Sequence, residues 1–223
     1  MLRILLFIIF LSSIYANNIN YKISFMGIHV ANCVHSYYDT ISYNINATKI
    51  NYHVKTKGVF NYLFKIDNIY EIVIDKKTFK TLSYKKKTSQ PKLVNKLKTS
   101  YIDEQVLYPN NIVFADNEIS IFGILHLINI NSFDKIESFD NIDREGKKYN
   151  FHIKNFDDMY EIKTNEIDFN DQGNIIHTDI FNWGLFLSNS KKFIYKKKED
   201  EFINRCDFTK GFIKITAEIK NPN

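Results

Sequence analysis

The chain has 223 residues and a formal net charge of +5, with 44% hydrophobic, 15% aromatic and 25% charged residues. That apolar content can build a substantial core and excludes disorder over most of the length. Lysines and acids are mixed throughout with no basic stripe, and beyond Arg3 arginine occurs only as Arg144 and Arg205. The bidentate phosphate and base readers of a nucleic-acid interface are therefore missing.

Arg3 supplies a short positive segment, and Ile4 to Leu11 is an uninterrupted apolar run. Ser12, Ser13 and Ala16 then precede polar Asn17 and Asn18. This order predicts a secretory signal peptide over 1–16, cleaved after Ala16. Crossing the hydrocarbon core takes ~20 apolar residues, and the run supplies less than half of that, so a membrane anchor is the poorer reading. No Cys follows closely, which removes the bacterial lipid-anchor pattern. Residues 17–223 are expected to form a single all-β domain, soluble, with no transmembrane span. Its expected location is the periplasm, or outside the cell if the source is not Gram-negative.

Period-two alternation dominates from Tyr21 onward. Tyr21, Ile23 and Phe25 share one face of a first strand, which Gly27 breaks. Ile28, Val30 and Val34 mark the next strand, to Tyr38. Ile41, Tyr43 and Ile45, then Ile50, Tyr52 and Val54, alternate with polar residues, as in half-buried antiparallel strands. Val59, Phe60, Tyr62, Leu63 and Phe64 fit neither period and read as a single turn capping the core. Phe60, Leu63 and Phe64 are expected to be mostly buried, because so dense an apolar cluster is costly to expose. Another strand follows from Ile66 to Ile74. Leu82 and Tyr84 are the apolar positions of the strand after it, with Lys80 and Lys86 expected on its solvent side.

After Pro91 a further strand pair is expected over Leu93 to Ile102 and Gln105 to Tyr108. Asp116 and Asn117 then cap one helix from Glu118 to Ile128, with Ile121, Ile124, Leu125 and Ile128 at helical spacing. Its apolar stripe reads as a core plug carrying His126. The polar stretch 129–148 reads as a loop. Strands return around Tyr149 to Ile153, Tyr160 to Ile162, Ile175 to Leu187 with Trp183, Phe193 to Tyr195, and Phe212 to Ile219.

Motifs that carry chemistry are scarce. No Cys-x-x-Cys or His-x-x-x-His spacing occurs, and His29 and His35 would lie about 20 Å apart on a strand. There is no nucleophile elbow and no phosphate-cradling loop among only seven glycines. Asp157-Asp158 and Lys198 to Glu201 read as solvated turns. Lys85 to Lys87 and Lys196 to Lys198 read as exposed faces and guarded edges, the alternative being contact with anionic headgroups. No enzyme is expected: there are no candidate catalytic, cofactor-binding or metal-ligating residues, and no cofactor. Cys33 and Cys206 leave two readings open, a disulfide or two unpaired buried thiols. Asn46-Ala47-Thr48 is an acceptor sequon that matters only in a eukaryotic secretory pathway.

Several segments resemble the bacterial exported family catalogued as domain of unknown function 3108. They are the opening strand with Gly27 and Ala31, the Gly58-Val-Phe-Asn-Tyr-Leu-Phe64 cluster with Asp67 and Asp75, the helix near Asp116 to Leu127, the Gly146 hairpin, and Gly211 to Glu218. The resemblance covers nearly all of 17–223. It implies a Gram-negative periplasmic protein and brings no catalytic residues.

The expected architecture is one curled antiparallel sheet, a half-barrel or open barrel, with the short helix closing its concave side. The expected function is a binding or carrier module for a lipid or other apolar envelope component, so the partner is a lipid or an envelope protein. The rival is an envelope assembly or scaffold protein acting through its surface. Oligomeric state is left open.

Overall fold

In the computed structural model, residues 17–109, 111–167, 179, 185–186 and 189–220 are described. The alternating first third becomes five long strands: β1 Asn17–Phe25, β2 Ile28–Ser42, β3 Ile45–Thr56, β4 Asp67–Asp75 and β5 Thr81–Gln90. Along β3, Thr48, Ile50, Tyr52, Val54 and Thr56 are buried, and the residues between them face outward. Met26 (φ 50°) and Gly27 (φ 83°) make the turn between β1 and β2, where both central residues need positive φ.

The remaining strands are β6 Leu93–Lys98, β7 Ser100–Ile102, β8 Gln105–Leu107, β9 Val113–Phe114, β10 Glu118–Ser120, β11 Asn141–Arg144, β12 Lys147–Phe156, β13 Met159–Glu166, β14 Lys191–Tyr195, β15 Arg205–Lys210 and β16 Ile213–Ile219. The helices are α1 Phe60–Leu63 and α2 Ile121–Asn129, with a 3₁₀ turn at Phe133–Ser138. Thirteen strands form one sheet in the order β10-β11-β12-β13-β14-β15-β16-β1-β2-β3-β4-β5-β6, and β7-β8-β9 form a small second sheet. The first and last strands pair, Tyr21 opposite Ile219, so both halves of the chain share one continuous surface.

The expected all-β architecture holds: a single large sheet curls without closing into a barrel. Its edges, β6 and β10, are not hydrogen-bonded to each other. Instead β5 lies close to β10, and a buried ionic cluster laces that seam. Lys86 on β5 donates to Glu145 at 2.5 Å and to Asp179 at 3.1 Å, with Lys86 and Asp179 fully buried. Tyr70 donates to Asp179 at 2.7 Å, Tyr84 to Glu145 at 3.3 Å, and Tyr108 to Asp143 at 2.5 Å.

Several expectations need correction. Lys86 and Lys196 are buried, not exposed. Lys86 shares the parity of Tyr84, so a strand that turns Tyr84 into the core must bury it as well; Leu82, beyond a β-bulge, packs in a separate cluster with Ala47 and Val73. Helix α2 starts at Ile121, not Glu118. Residues 118–120 pair in parallel with β11, and Ser120 caps the helix by accepting from Gly123 N–H at 3.1 Å. The stretch 129–148 contains the 3₁₀ turn and β11 rather than a loop alone. Strand β15 had no forecast, because Arg205, Asp207 and Lys210 mask its alternation. The expected burial of the 59–64 cluster fails: Leu63 is 74% exposed, Phe64 42% and Phe60 is half-buried. Cys33 and Cys206 are free thiols on β2 and β15, three strands apart in the sheet. The strand expected over 175–187 lies outside the described residues apart from Asp179, Leu185 and Phe186, as does the signal peptide.

The seam generates a stability prediction. Lys86→Met removes a cation bonded to two buried carboxylates and should cost about 3–5 kcal/mol in urea unfolding. Adding Glu145→Gln and Asp179→Asn should recover most of that loss. A single variant within about 0.5 kcal/mol of the parent, as surface changes are, would show that the ion cluster does not hold the edges.

Candidate functional site

The inward side chains of the curled sheet do not meet in the middle. Helix α2 lies against the concave face and presents Ile121, Phe122 and Leu125 to it, while Ile124, Leu127 and Ile128 pack out of solvent. Gly123 is required by the fit, since a Cβ there would stand 2.8 Å from the Ile119 side chain. Tyr52 and Tyr70 tilt onto Phe122 with ring centroids 5.0 and 4.6 Å away, fixing the helix across β3 and β4.

Between helix and sheet is a cavity of about 180 Å³, walled by apolar side chains such as Tyr21, Ile23, Val54, Leu125, Ile194 and Phe208. A second lobe of about 440 Å³ shares Ile23, Leu185, Phe208 and Ile215 with it, and runs to Phe25, Val30, Phe60 and Phe64 at one end of the sheet. Together the lobes reach the size of a small-ligand site, roughly 300–1,000 Å³. The concave-face cavity anticipated under the helix is therefore present, and α2 roofs only its inner part.

Few polar groups reach this wall. Asn129 at the end of α2 accepts from Ile203 N–H at 2.7 Å, so its amide nitrogen faces His35 Nδ1 at 3.4 Å. That arrangement places the His35 proton on Nε2, which has no partner among the described residues. The His35 ring stacks flat on Tyr52 at 4.3 Å, and the Tyr52 hydroxyl likewise has no partner among them. Tyr37 lies between His35 and His126, edge-on to the latter at 5.0 Å. Burial pushes His35 down to about 3 and His126 to about 4, so both are neutral. Lys192, inward on β14, donates to Thr164 at 3.1 Å and faces no carboxylate among the described residues. Burial lowers its ammonium to about 8. Cys33 and Cys206 line the same cavity, and burial raises both thiols to about 12, far from a reactive thiolate.

Of the buried titratable cluster around Lys86, Asp143, Glu145 and Asp179, Asp143 and Glu145 line a void of about 10 Å³ beside the helix N-terminus. That admits no substrate, so the cluster is a fastener. Among the described residues no His, Cys, Asp and Glu groups gather to hold a metal, and no helix is long and apolar enough to cross a membrane. Sequence reading missed Lys192 and Lys86; the parity they share with Ile194 and Tyr84 was the available signal.

No protein-family model matches the chain, and no curated protein does. Among solved structures it is similar to a beta-barrel-like protein of domain of unknown function DUF1849 from Brucella abortus. The identity is 7% and the TM-score 0.46, over 92% of this chain and 95% of that one. The resemblance to domain of unknown function 3108 rests on the sequence segments alone.

Asp143 sets a pH dependence. Burial raises its carboxyl to about 8, against the hydrogen bonds from Tyr108 and Gly146 that favour the anion. Between about 4 and 8 the folded chain then holds a proton the unfolded chain releases, so this group's contribution falls as pH rises. His35 and His126 act oppositely: folded they stay neutral where the unfolded imidazoles charge, so stability falls as pH drops below about 6.5. Asp143→Asn should therefore make Tm at about pH 8, relative to about pH 5, more favourable than in the parent. An unchanged difference would mean that Asp143 is ionised in the fold.

Proposed function

We propose that this protein is an exported, non-enzymatic carrier or binding module for a lipid or similar apolar molecule of the cell envelope, distantly akin to domain of unknown function 3108. The observation that carries the reading is the two-lobed apolar cavity left between helix and sheet, open at one end. A cavity of this kind accepts a flexible tail without exact polar matching. Its donors without a partner among the described residues, His35 Nε2–H and the Tyr52 hydroxyl, and the Lys192 ammonium, which donates only to Thr164 among them, favour a ligand with an acceptor head, such as a fatty acid, over a plain hydrocarbon. The neutral His35 and Lys192, which has no carboxylate partner among the described residues, would tolerate one carboxylate but provide no nest for a phosphate.

The rival reading, a scaffold with a filled core, has less support, because a filled core leaves no such lobes. Catalysis has no support in the cavity wall, where buried thiols and neutral imidazoles have no paired nucleophile or base.

Binding is testable with a fluorescent fatty acid displaced by unlabelled phospholipid. The parent protein should bind the probe. Ala217→Trp, which fills the inner lobe from β16, should weaken binding by about tenfold or more, equivalent to about 1.4 kcal/mol. Lys192→Met should weaken the fatty acid more than its methyl ester. No binding by the parent, together with native mass spectra free of co-purifying lipid, would leave the scaffold reading in its place.

Export is tested separately. The mature N-terminus should be Asn17, and osmotic shock should release the protein. An intact Met1 in the membrane fraction would overturn that reading.

A further inference from the structure

The open end of the cavity carries an apolar rim that ligand storage alone does not require. Three loops meet there: the Met26–Gly27 turn, segment 57–65 with α1, and the turn at Gly211 and Phe212. They are tied together by backbone, Met26 N–H donating to Lys214 O at 2.8 Å and Lys57 N–H to Val30 O at 3.1 Å. On them Tyr62 is 92% exposed, Phe212 84%, Leu63 74% and Val59 69%. On the inner side of the same loops, Phe25, Phe60 and Phe64 line the larger lobe. The exposed apolar surface therefore continues into the cavity.

Charge marks these three loops, whose nearest acid along the chain, Asp67 at the start of β4, is paired with His53 and Lys55. Segments 25–30, 56–66 and 210–214 contain Lys57, Lys65, Lys210 and Lys214 and no Asp or Glu. Of these, Lys214 approaches a carboxylate, Asp207 at 3.5 Å on the strand behind it. The opposite end carries Asp39, Asp75, Asp103, Glu104 and Asp116 in and beside its turns, with Lys76 paired to Asp39 and Lys80 to Asp116.

We propose that this end docks on an anionic lipid bilayer, with Tyr62, Leu63 and Phe212 entering the boundary between headgroups and acyl chains and the four lysines meeting the headgroup phosphates. The rim is a set of narrow turns with projecting side chains. It offers neither the flat apolar patch nor the free strand edge that a protein partner would cover. Lysine without acid matches an anionic surface, and the apolar continuity lets a tail pass from bilayer to cavity without crossing water. Docking goes beyond the carrier reading and stands on the rim itself.

The test is co-sedimentation of the mature chain with phosphatidylcholine vesicles, with and without phosphatidylglycerol. Binding should require the anionic lipid and weaken as salt rises. Leu63→Ser with Phe212→Ser should weaken it by about tenfold or more. Ile41→Ser with Ile102→Ser, which removes exposed apolar side chains (73% and 52%) at the opposite end, should leave it unchanged. All four positions are exposed, and equal Tm values would confirm that every variant folds. Equal losses in both pairs, no binding by the parent, or a rim-dependent dimer in sedimentation velocity would each overturn the proposal. Probe uptake from solution, measured on the same proteins, keeps the two readings apart. Docking without uptake removes the carrier and leaves the rim; uptake without docking does the reverse.

Discussion

Lys86 is held between Glu145 and Asp179 out of contact with water, and the curvature of the whole sheet is fastened at that point. Thirteen strands with one apolar face each cannot lie flat, because a single nine-residue helix covers too little of the concave side. Curling brings the two edge regions together, but β6 and β10 find no backbone register with each other. Side chains close the gap instead. Placing a lysine and two carboxylates there is expensive in desolvation, and such clusters often add little net stability over apolar replacements. What the cluster supplies is specificity of approach: the charges are satisfied only when β5 and the β11–β12 turn meet in one relative position.

Once the seam is fixed, the radius of the curled sheet is fixed, and so is the space that α2 must fill. Phe122 wedges against Tyr52 and Tyr70 from one side, and Gly123 lets the helix close on Ile119. The helix cannot also reach the far wall formed by β14 to β16. Phe208, Ile215 and Ile194 therefore face a gap instead of a packing partner. In an ordinary core such a gap would cost about 24 cal/mol per Å³, which for the inner lobe is several kcal/mol. A fold that bears this cost without collapsing is stiffened around the void, and the seam and the aromatic wedge are the two devices that stiffen it.

Much of this was legible in the sequence wherever one face of a strand is apolar and the other is not. Alternation of Ile50, Tyr52 and Val54 located β3 with its faces assigned correctly, and the Ile121, Ile124, Leu125, Ile128 spacing located α2; Ile41 and Tyr43, read the same way, are exposed at the end of β2 and in the turn after it. The helix start was misplaced because Asp116 and Asn117 are good caps by type, whereas Ser120 is the residue in cap geometry. Strand β15 and the fastener were hidden for one reason: charged side chains occupy positions the periodicity would assign to either face. Lysine was read as solvent-facing on its chemistry, while its parity with Tyr84 put Lys86 inside. Pairing decided the matter, and the partner Glu145 lies 59 residues away, beyond the reach of any local window. The 59–64 cluster failed in the opposite sense. Its density signalled burial, but α1 is too short to turn an apolar face onto the sheet, so Tyr62 and Leu63 project outward.

That last failure bears on which end of the molecule works. Exposed aromatic and aliphatic side chains are ordinary when scattered singly, and informative when they gather on neighbouring loops. Here the most exposed aromatics, Tyr62 and Phe212, gather with Leu63 and Val59 at the end where the cavity opens; Ile41, Tyr43 and Ile102, exposed at the other end, sit beside paired acids and lysines. A protein needing only a stable sheet could carry serine at 62, 63 and 212 at little folding cost, since these side chains bury little on folding. Their apolarity is not accounted for by the fold. It needs a second phase to contact, one that tolerates lysine and excludes carboxylate, and the mouth of an apolar cavity is where such a contact would let a tail move between the two.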